Sequence, residues 1–132
     1  MNDRVAKKVV IDPGHGGTDS GTVNNGIVEK EYSLKISNYI KNRLDELGIE
    51  NSMTRTTDEL LDQTTRPQRA QSFYGTGSDV IVLSNHLNAG GADGSCGKLT
   101  FFEKLRKIFY KTKIKYLFCV ILDISSDRLC LR

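Results

Sequence analysis

The sequence predicts one α/β domain, a mainly parallel open sheet with helices on both faces. Three observations carry that expectation. Two apolar runs rich in β-branched residues, Val9 to Ile11 and "DVIVLSNH" from Asp79 to His86, have the composition of buried strands. Between them Leu34, Ser37, Ile40, Leu44 and Leu47 recur at steps of three and four, with charges filling the opposite face. Strands that alternate with helices in this way build parallel sheets through right-handed crossovers.

Taken in order, the first strand ends in "DPGHGG", which sets His15 on a glycine-rich turn beyond its carboxyl end. That is the edge where open α/β sheets bind ligands. "TDSGTVNNGIV" is rich in turn formers and reads as an exposed loop. A helix is expected from Lys30, with Gly48 as the glycine that ends it. "IENSMTRT" then gives a second strand and its exit loop. A second helix is expected over residues 58–73, with Leu60, Leu61 and Ala70 turned inward. "YGTGS" breaks the chain before the last strongly apolar strand, which closes on His86 and "LNAGGADG".

Bulk composition narrows the classes. A chain of 132 residues, 38% hydrophobic and 27% charged, fits a single soluble globular domain. No apolar stretch approaches the ~20 residues that span a bilayer. The opening "MNDRVAKK" lacks the apolar core of a secretory signal, so synthesis in the cytoplasm without a signal peptide is expected. Cys96, Cys119 and Cys130 are widely spaced and form no CxxC pair, which favours reduced thiols over a disulfide framework or a cysteine zinc site. Residues 1–94 hold 10 Lys/Arg against 13 Asp/Glu, whereas residues 95–132 hold 9 against 3. The basic charge is thus confined to one tail, which argues against a nucleic-acid partner. The absence of a G-x-S-x-G turn argues against a serine hydrolase.

The chain has only two histidines, His15 and His86, and both fall beyond the carboxyl ends of expected strands. In a parallel sheet those ends share an edge, where the two imidazoles can converge. Imidazole is the commonest protein ligand of zinc, and a catalytic site adds a third protein ligand and water. Glu29 and Glu31 sit at the loop-to-helix junction, Glu29 nearer the edge and Glu31 half a turn round. Each residue also has an ordinary explanation. An acid in the first helical turn serves the macrodipole, and either histidine fits a polar turn or a satisfied interior position. Spacing alone leaves both readings open.

The blocks "VVIDPGHGGTDSG", "GIVEKEYSLKIS", "SMTRTTDE", "RPQRAQ" and "VIVLSNHLNAGGADG" occur in an order that resembles the zinc-dependent N-acetylmuramoyl-L-alanine amidases of the amidase-3 type. The resemblance covers about residues 8–94. Its last block is most similar to lytic amidases of phages or prophages of Gram-positive bacteria. The family's activity is cleavage of peptidoglycan between muramic acid and L-alanine. The resemblance implies a Zn2+ cofactor held by His15, Glu29 and His86, with the metal polarising the amide carbonyl and activating a water. It also implies peptidoglycan as partner and action on the cell wall; the missing secretory signal favours lysis-associated release, by a phage or prophage lysin or a mother-cell lysis enzyme. Asp12 either orients an imidazole from behind or caps the turn. Arg55 and Arg66 fall on family blocks and read as solvated charges.

The pattern departs from the family near Gly94, which makes the expected fold incomplete and divides the chain into an amidase-like part, 1–94, and a divergent basic tail, 95–132. Family members end with a glutamate on a late strand that acts as acid/base. Glu103 is the only glutamate after His86, and its setting, "TFFEKLRK", is unlike that block, so the catalytic residue stays unassigned. Three readings of the tail remain: the product of an interrupted gene, a membrane-active helix with Phe101, Phe102, Leu105, Ile108 and Phe109 on one face, or a strand at "KYLFCVILDI" that completes the sheet. Alternatives to an active amidase are a peptidoglycan- or zinc-binding remnant and a membrane-active tail on that scaffold. Oligomeric state is not legible.

Overall fold

The computed structural model describes residues 7–87 with their side chains and residues 88, 116–123 and 128–131 as backbone strand. Among the described residues, seven strands and two helices follow one another: β1 (Lys8–Pro13), β2 (Val23–Asn24), β3 (Ile27–Val28), α1 (Glu29–Glu46), β4 (Asn51–Met53), α2 (Thr65–Tyr74), β5 (Val80–Asn88), β6 (Tyr116–Asp123) and β7 (Arg128–Leu131). The main sheet has the order β4-β1-β5-β6-β7. Its first four strands run parallel and β7 pairs antiparallel at the edge. The mainly parallel sheet is therefore as expected.

Alternation along β1 explains why helices lie on both faces. Val9 and Ile11 point to one face and join Met53, Leu83 and the α1 residues Leu34, Ile40 and Leu44 in an apolar cluster. Each fully buried side chain of this kind contributes roughly 1.5–3 kcal/mol. Asp12 points to the other face and meets Arg66 of α2. Parallel strands buried on both faces should read as continuous apolar runs, and β1 and β5 do.

α1 docks through a narrow stripe of small residues. Ser33 and Ser37 are fully buried, one turn apart. The Ser33 hydroxyl donates to the Gly14 carbonyl at 2.8 Å, and the Asn85 amide donates to Ser33 O and to Ser37 Oγ. Continuing the stripe one turn toward the N-terminus reaches Glu29, which this docking carries over the carboxyl edge of the sheet. Gly48, at φ 68°, ends the helix as expected.

Several expectations need correction. The exposed loop after His15 contains a two-residue hairpin, β2 paired with β3 around Asn25 and Gly26, both at positive φ. α1 begins at Glu29 rather than Lys30, and Leu47 is exposed. α2 begins at Thr65, not near residue 58, because the Asp62 carboxylate accepts the Thr64 and Thr65 amides and Pro67 sits in the first turn. Leu61 and Ala70 are buried, but Leu60, in the preceding loop, is exposed. His86 lies within β5 rather than beyond it. In the tail, residues 116–123 form β6, parallel to β5, where one of the three readings put a strand. The segment proposed as an amphipathic helix, residues 101–109, together with Glu103 and Cys96, lies outside the described residues. No described helix is long and apolar enough to cross a membrane.

Candidate metal centre

Three segments meet at the carboxyl edge of the sheet. His15 follows β1, Glu29 opens α1, and His86 lies near the end of β5. His15 takes a left-handed backbone conformation, φ 58°, which is uncommon for a residue with a side chain. The turn after it is closed by paired backbone bonds between Gly16 and Asp19. That reversal brings Asp19 back beneath the imidazole, where its carboxylate takes His15 Nδ1 at 2.8 Å and the Gly21 amide at 3.0 Å. An Nδ1–H held by a carboxylate leaves Nε2 with its lone pair directed elsewhere.

That other nitrogen faces the remaining two groups. Glu29 Oε1 lies 3.0 Å from His15 Nε2 and 3.0 Å from His86 Nδ1, and the two ring nitrogens are 3.3 Å apart. The rings stand edge to face, 85° between planes. The Leu87 amide donates to Glu29 Oε1 and the Thr22 amide to Oε2. Among the described residues, His15, Glu29 and His86 form the one group of His, Cys, Asp or Glu side chains close enough to share a metal ion. Glu31, the other acid at this junction, is exposed.

The electrostatics are those of a bound anion between bases. Burial pushes the Glu29 pKa up, but hydrogen bonds and charge from His15 and His86 pull it down further, leaving it well below the usual carboxylate range. Burial lowers the His15 pKa, yet the contacts with Glu29 and Asp19 outweigh it and the net shift is upward. Both shifts follow from the close approach of the Glu29 carboxylate to the imidazole nitrogens.

The donor set fits a tetrahedral zinc ion. With bonds of about 2.0–2.1 Å to nitrogen and oxygen, tetrahedral ligand atoms stand roughly 3.3–3.4 Å apart. The 3.0, 3.0 and 3.3 Å triangle is nearly that size without adjustment. Space for it is kept by two glycines. A Cβ on Gly14 would lie 2.3 Å from His86 Cε1, and one on Gly21 would lie 2.6 Å from both Glu29 Oε2 and His15 Cδ2. The side chains are 18% exposed at His15, 2% at Glu29 and 5% at His86, so the centre opens to solvent on the His15 side.

Residues behind the ligands differ from the sequence expectations. Asp12 does not touch an imidazole: Thr54 Oγ1, Arg66 Nη1 and Ser84 Oγ all donate to it at 2.6–2.9 Å. Arg55 and Arg66 are not solvated charges but are 1% and 7% exposed. Arg66 donates to Asp12, to the Pro13 and Leu61 carbonyls and to His15 O. Lys30 and Asp58 together hold Gly17 by its carbonyl and amide. Of these, Asp19 had a sequence signal, an acid four residues past a histidine across two glycines. The arginines had none, because the acceptors that draw both of them inward at the end of β1, Pro13 O and Gly14 O for Arg55 and Asp12 and Pro13 O for Arg66, lie more than 40 residues away.

The family model Amidase_3, described as N-acetylmuramoyl-L-alanine amidase, matches residues 9–117. The chain belongs to this family. Over 97 residues, 74% of this chain and 45% of the relative, it is 38% identical to an uncharacterized protein, YqiI, of Bacillus subtilis. It is also 38% identical to the N-acetylmuramoyl-L-alanine amidase CwlM of Bacillus licheniformis over 89 residues, 66% of this chain and 34% of CwlM. Among solved structures, the catalytic domain of the amidase CwlV from Bacillus (Paenibacillus) polymyxa superposes with a TM-score of 0.58 at 30% identity, covering 67% of this chain and 49% of that one. The chain thus spans less than half the length of these relatives.

Proposed function

We propose that the chain is a peptidoglycan hydrolase that cleaves the amide between N-acetylmuramic acid and L-alanine, with one zinc ion held by His15, Glu29 and His86. The observation that carries the reading is the triangle of two imidazole nitrogens and one carboxylate oxygen, already at tetrahedral spacing, in a chain of this family. Bound zinc supplies a Lewis acid for an amide carbonyl and a water that is nucleophilic near neutral pH. The protein's own part is to prepare the place. Glu29 stays anionic between the rings and its carboxylate is fixed by two backbone amides. Asp19 keeps His15 in the tautomer that presents Nε2. Gly14 and Gly21 keep bulk out of the cradle, and the open His15 side admits a polymer.

The wall-directed part of this reading is that of a phage- or prophage-type lysin that acts on the cell wall. A second reading, a remnant that binds zinc or peptidoglycan but hydrolyses poorly, is favoured by one observation. Glu103, the only glutamate after His86, is in a setting unlike the family's acid/base block. General acid/base help is worth about 10²–10⁴ in rate.

Release of new amino termini from purified peptidoglycan decides between the two. Zinc-loaded protein should release them, and zinc removal or His86→Ala should abolish the release. Folded, zinc-binding protein that releases none would establish the remnant instead.

A further inference from the structure

Arg55 is the largest fully buried side chain of the described residues. Its guanidinium makes five hydrogen bonds, each to a neutral acceptor. Nη2 donates to Gly14 O at 2.7 Å, to Lys30 O at 2.8 Å and to Ser33 Oγ at 3.1 Å. Nε donates to Pro13 O at 3.2 Å and Nη1 to Thr57 O at 3.1 Å. Pro13 and Gly14 immediately precede His15, and Lys30 immediately follows Glu29. One planar cation therefore grips the backbone next to two of the three proposed metal ligands, on two different elements.

Docking α1 onto the sheet does not require this grip. The apolar cluster and the bonds among Ser33, Ser37, Asn85 and Gly14 already join helix to strands. A buried charge is expensive to desolvate, and here it faces carbonyl oxygens rather than a carboxylate partner. What the guanidinium adds is a fixed separation between the Gly14 and Lys30 carbonyls. That separation sets how far His15 stands from Glu29.

We propose that Arg55 is a positioning residue for the metal centre, its rigid fork holding the His15 loop and the Glu29 turn in register. The inference rests on the zinc reading above and adds the side chain that keeps the ligands together. Lysine preserves the charge but offers a single ammonium in place of a fork, and cannot span both carbonyls in the same way.

The test titrates zinc alone, against a chromophoric chelator, into the unsubstituted chain, Arg55→Lys and the core control Val9→Ala, with urea midpoints measured on the same samples. Arg55→Lys should weaken zinc binding by about 10–100-fold, the usual effect of losing support behind a ligand. Val9→Ala should lower the urea midpoint yet leave zinc affinity unchanged. In metal-free protein, Arg55→Lys should also speed amide exchange at both Gly14–Gly17 and Glu29–Lys30, which Val9→Ala should not. Unchanged zinc affinity in Arg55→Lys, or an equal loss in Val9→Ala, overturns the inference. If the unsubstituted chain binds no zinc, the zinc reading falls, and exchange unaltered at the two segments overturns the role of Arg55 separately. Arg55→Gln, planar but too short to reach both segments, replaces Arg55→Lys and is scored identically if the lysine variant does not fold.

Discussion

Replacing Arg66 with methionine should destabilise the domain by about 3–5 kcal/mol, the usual effect of removing one partner from a buried ion pair. Asp12 is fully buried, and Arg66 is its one cationic partner within hydrogen-bond reach among the described residues. Thr54 and Ser84 would still donate to the carboxylate, but two hydroxyls do not neutralise it. The same change removes the donor to the His15 and Leu61 carbonyls and leaves Pro13 O with the longer Arg55 bond at 3.2 Å. Domains of this size are stable by only about 5–15 kcal/mol, so a large share of the total is at stake. With urea slopes of about 1–3 kcal/mol/M, the midpoint should fall by roughly 1–5 M. The double variant Asp12→Asn with Arg66→Met should lose less than the sum of the two singles, because no orphaned charge remains. Additive losses would show that the pair is not coupled as its geometry requires.

Gly14→Ala should remove zinc binding while leaving most of the fold intact. The added methyl would lie 2.3 Å from His86 Cε1 and 2.4 Å from His86 Nδ1, well inside contact distance. The imidazole has little freedom to retreat, since it is buried and its Nδ1 is tied to Glu29 at 3.0 Å. Gly14 is not among the positive-φ glycines, so its backbone accepts alanine and the effect is one of space alone. Displacing a ligand should weaken zinc binding by at least the roughly 100-fold that marks the upper range for residues behind the ligands. A chelator competition run beside a circular dichroism spectrum checks both halves of the statement. Alanine at this position with undiminished affinity would mean that His86 is not a ligand.

Much of this architecture is legible in the sequence because its signals are local. β1 and β5 announce themselves as apolar runs, and the three- and four-residue steps of Leu34, Ile40 and Leu44 define the buried face of α1. Glycines around His15 and an acid at the helix start bring the three proposed ligands within view of one another. Other features had local signals that admit two meanings. Asn25-Gly26 is a hairpin turn but sits in a stretch whose composition is that of a loop. Leu60 and Leu61 differ by one position and only one is buried, since the segment before Thr65 is not helical. The burial of Arg55 and Arg66 has no local signal at all. Both reach acceptors gathered where β1 ends, the Asp12 carboxylate and the Pro13, Gly14 and His15 carbonyls, and a charge in a window of sequence says nothing of acceptors that await it elsewhere. Asp12 shows the same from the other side: adjacency to the His15 turn suggested an imidazole partner, whereas strand alternation turns it toward α2.

The most direct test of the proposed centre is zinc K-edge X-ray absorption on the zinc-loaded chain. The account predicts a shell of nitrogen and oxygen at about 2.0–2.1 Å, with the outer scattering of two imidazoles and no sulfur at about 2.3 Å. A sulfur shell would move the metal to Cys96, Cys119 or Cys130, and fewer than two imidazoles would break the His15–Glu29–His86 triangle; either result contradicts the account.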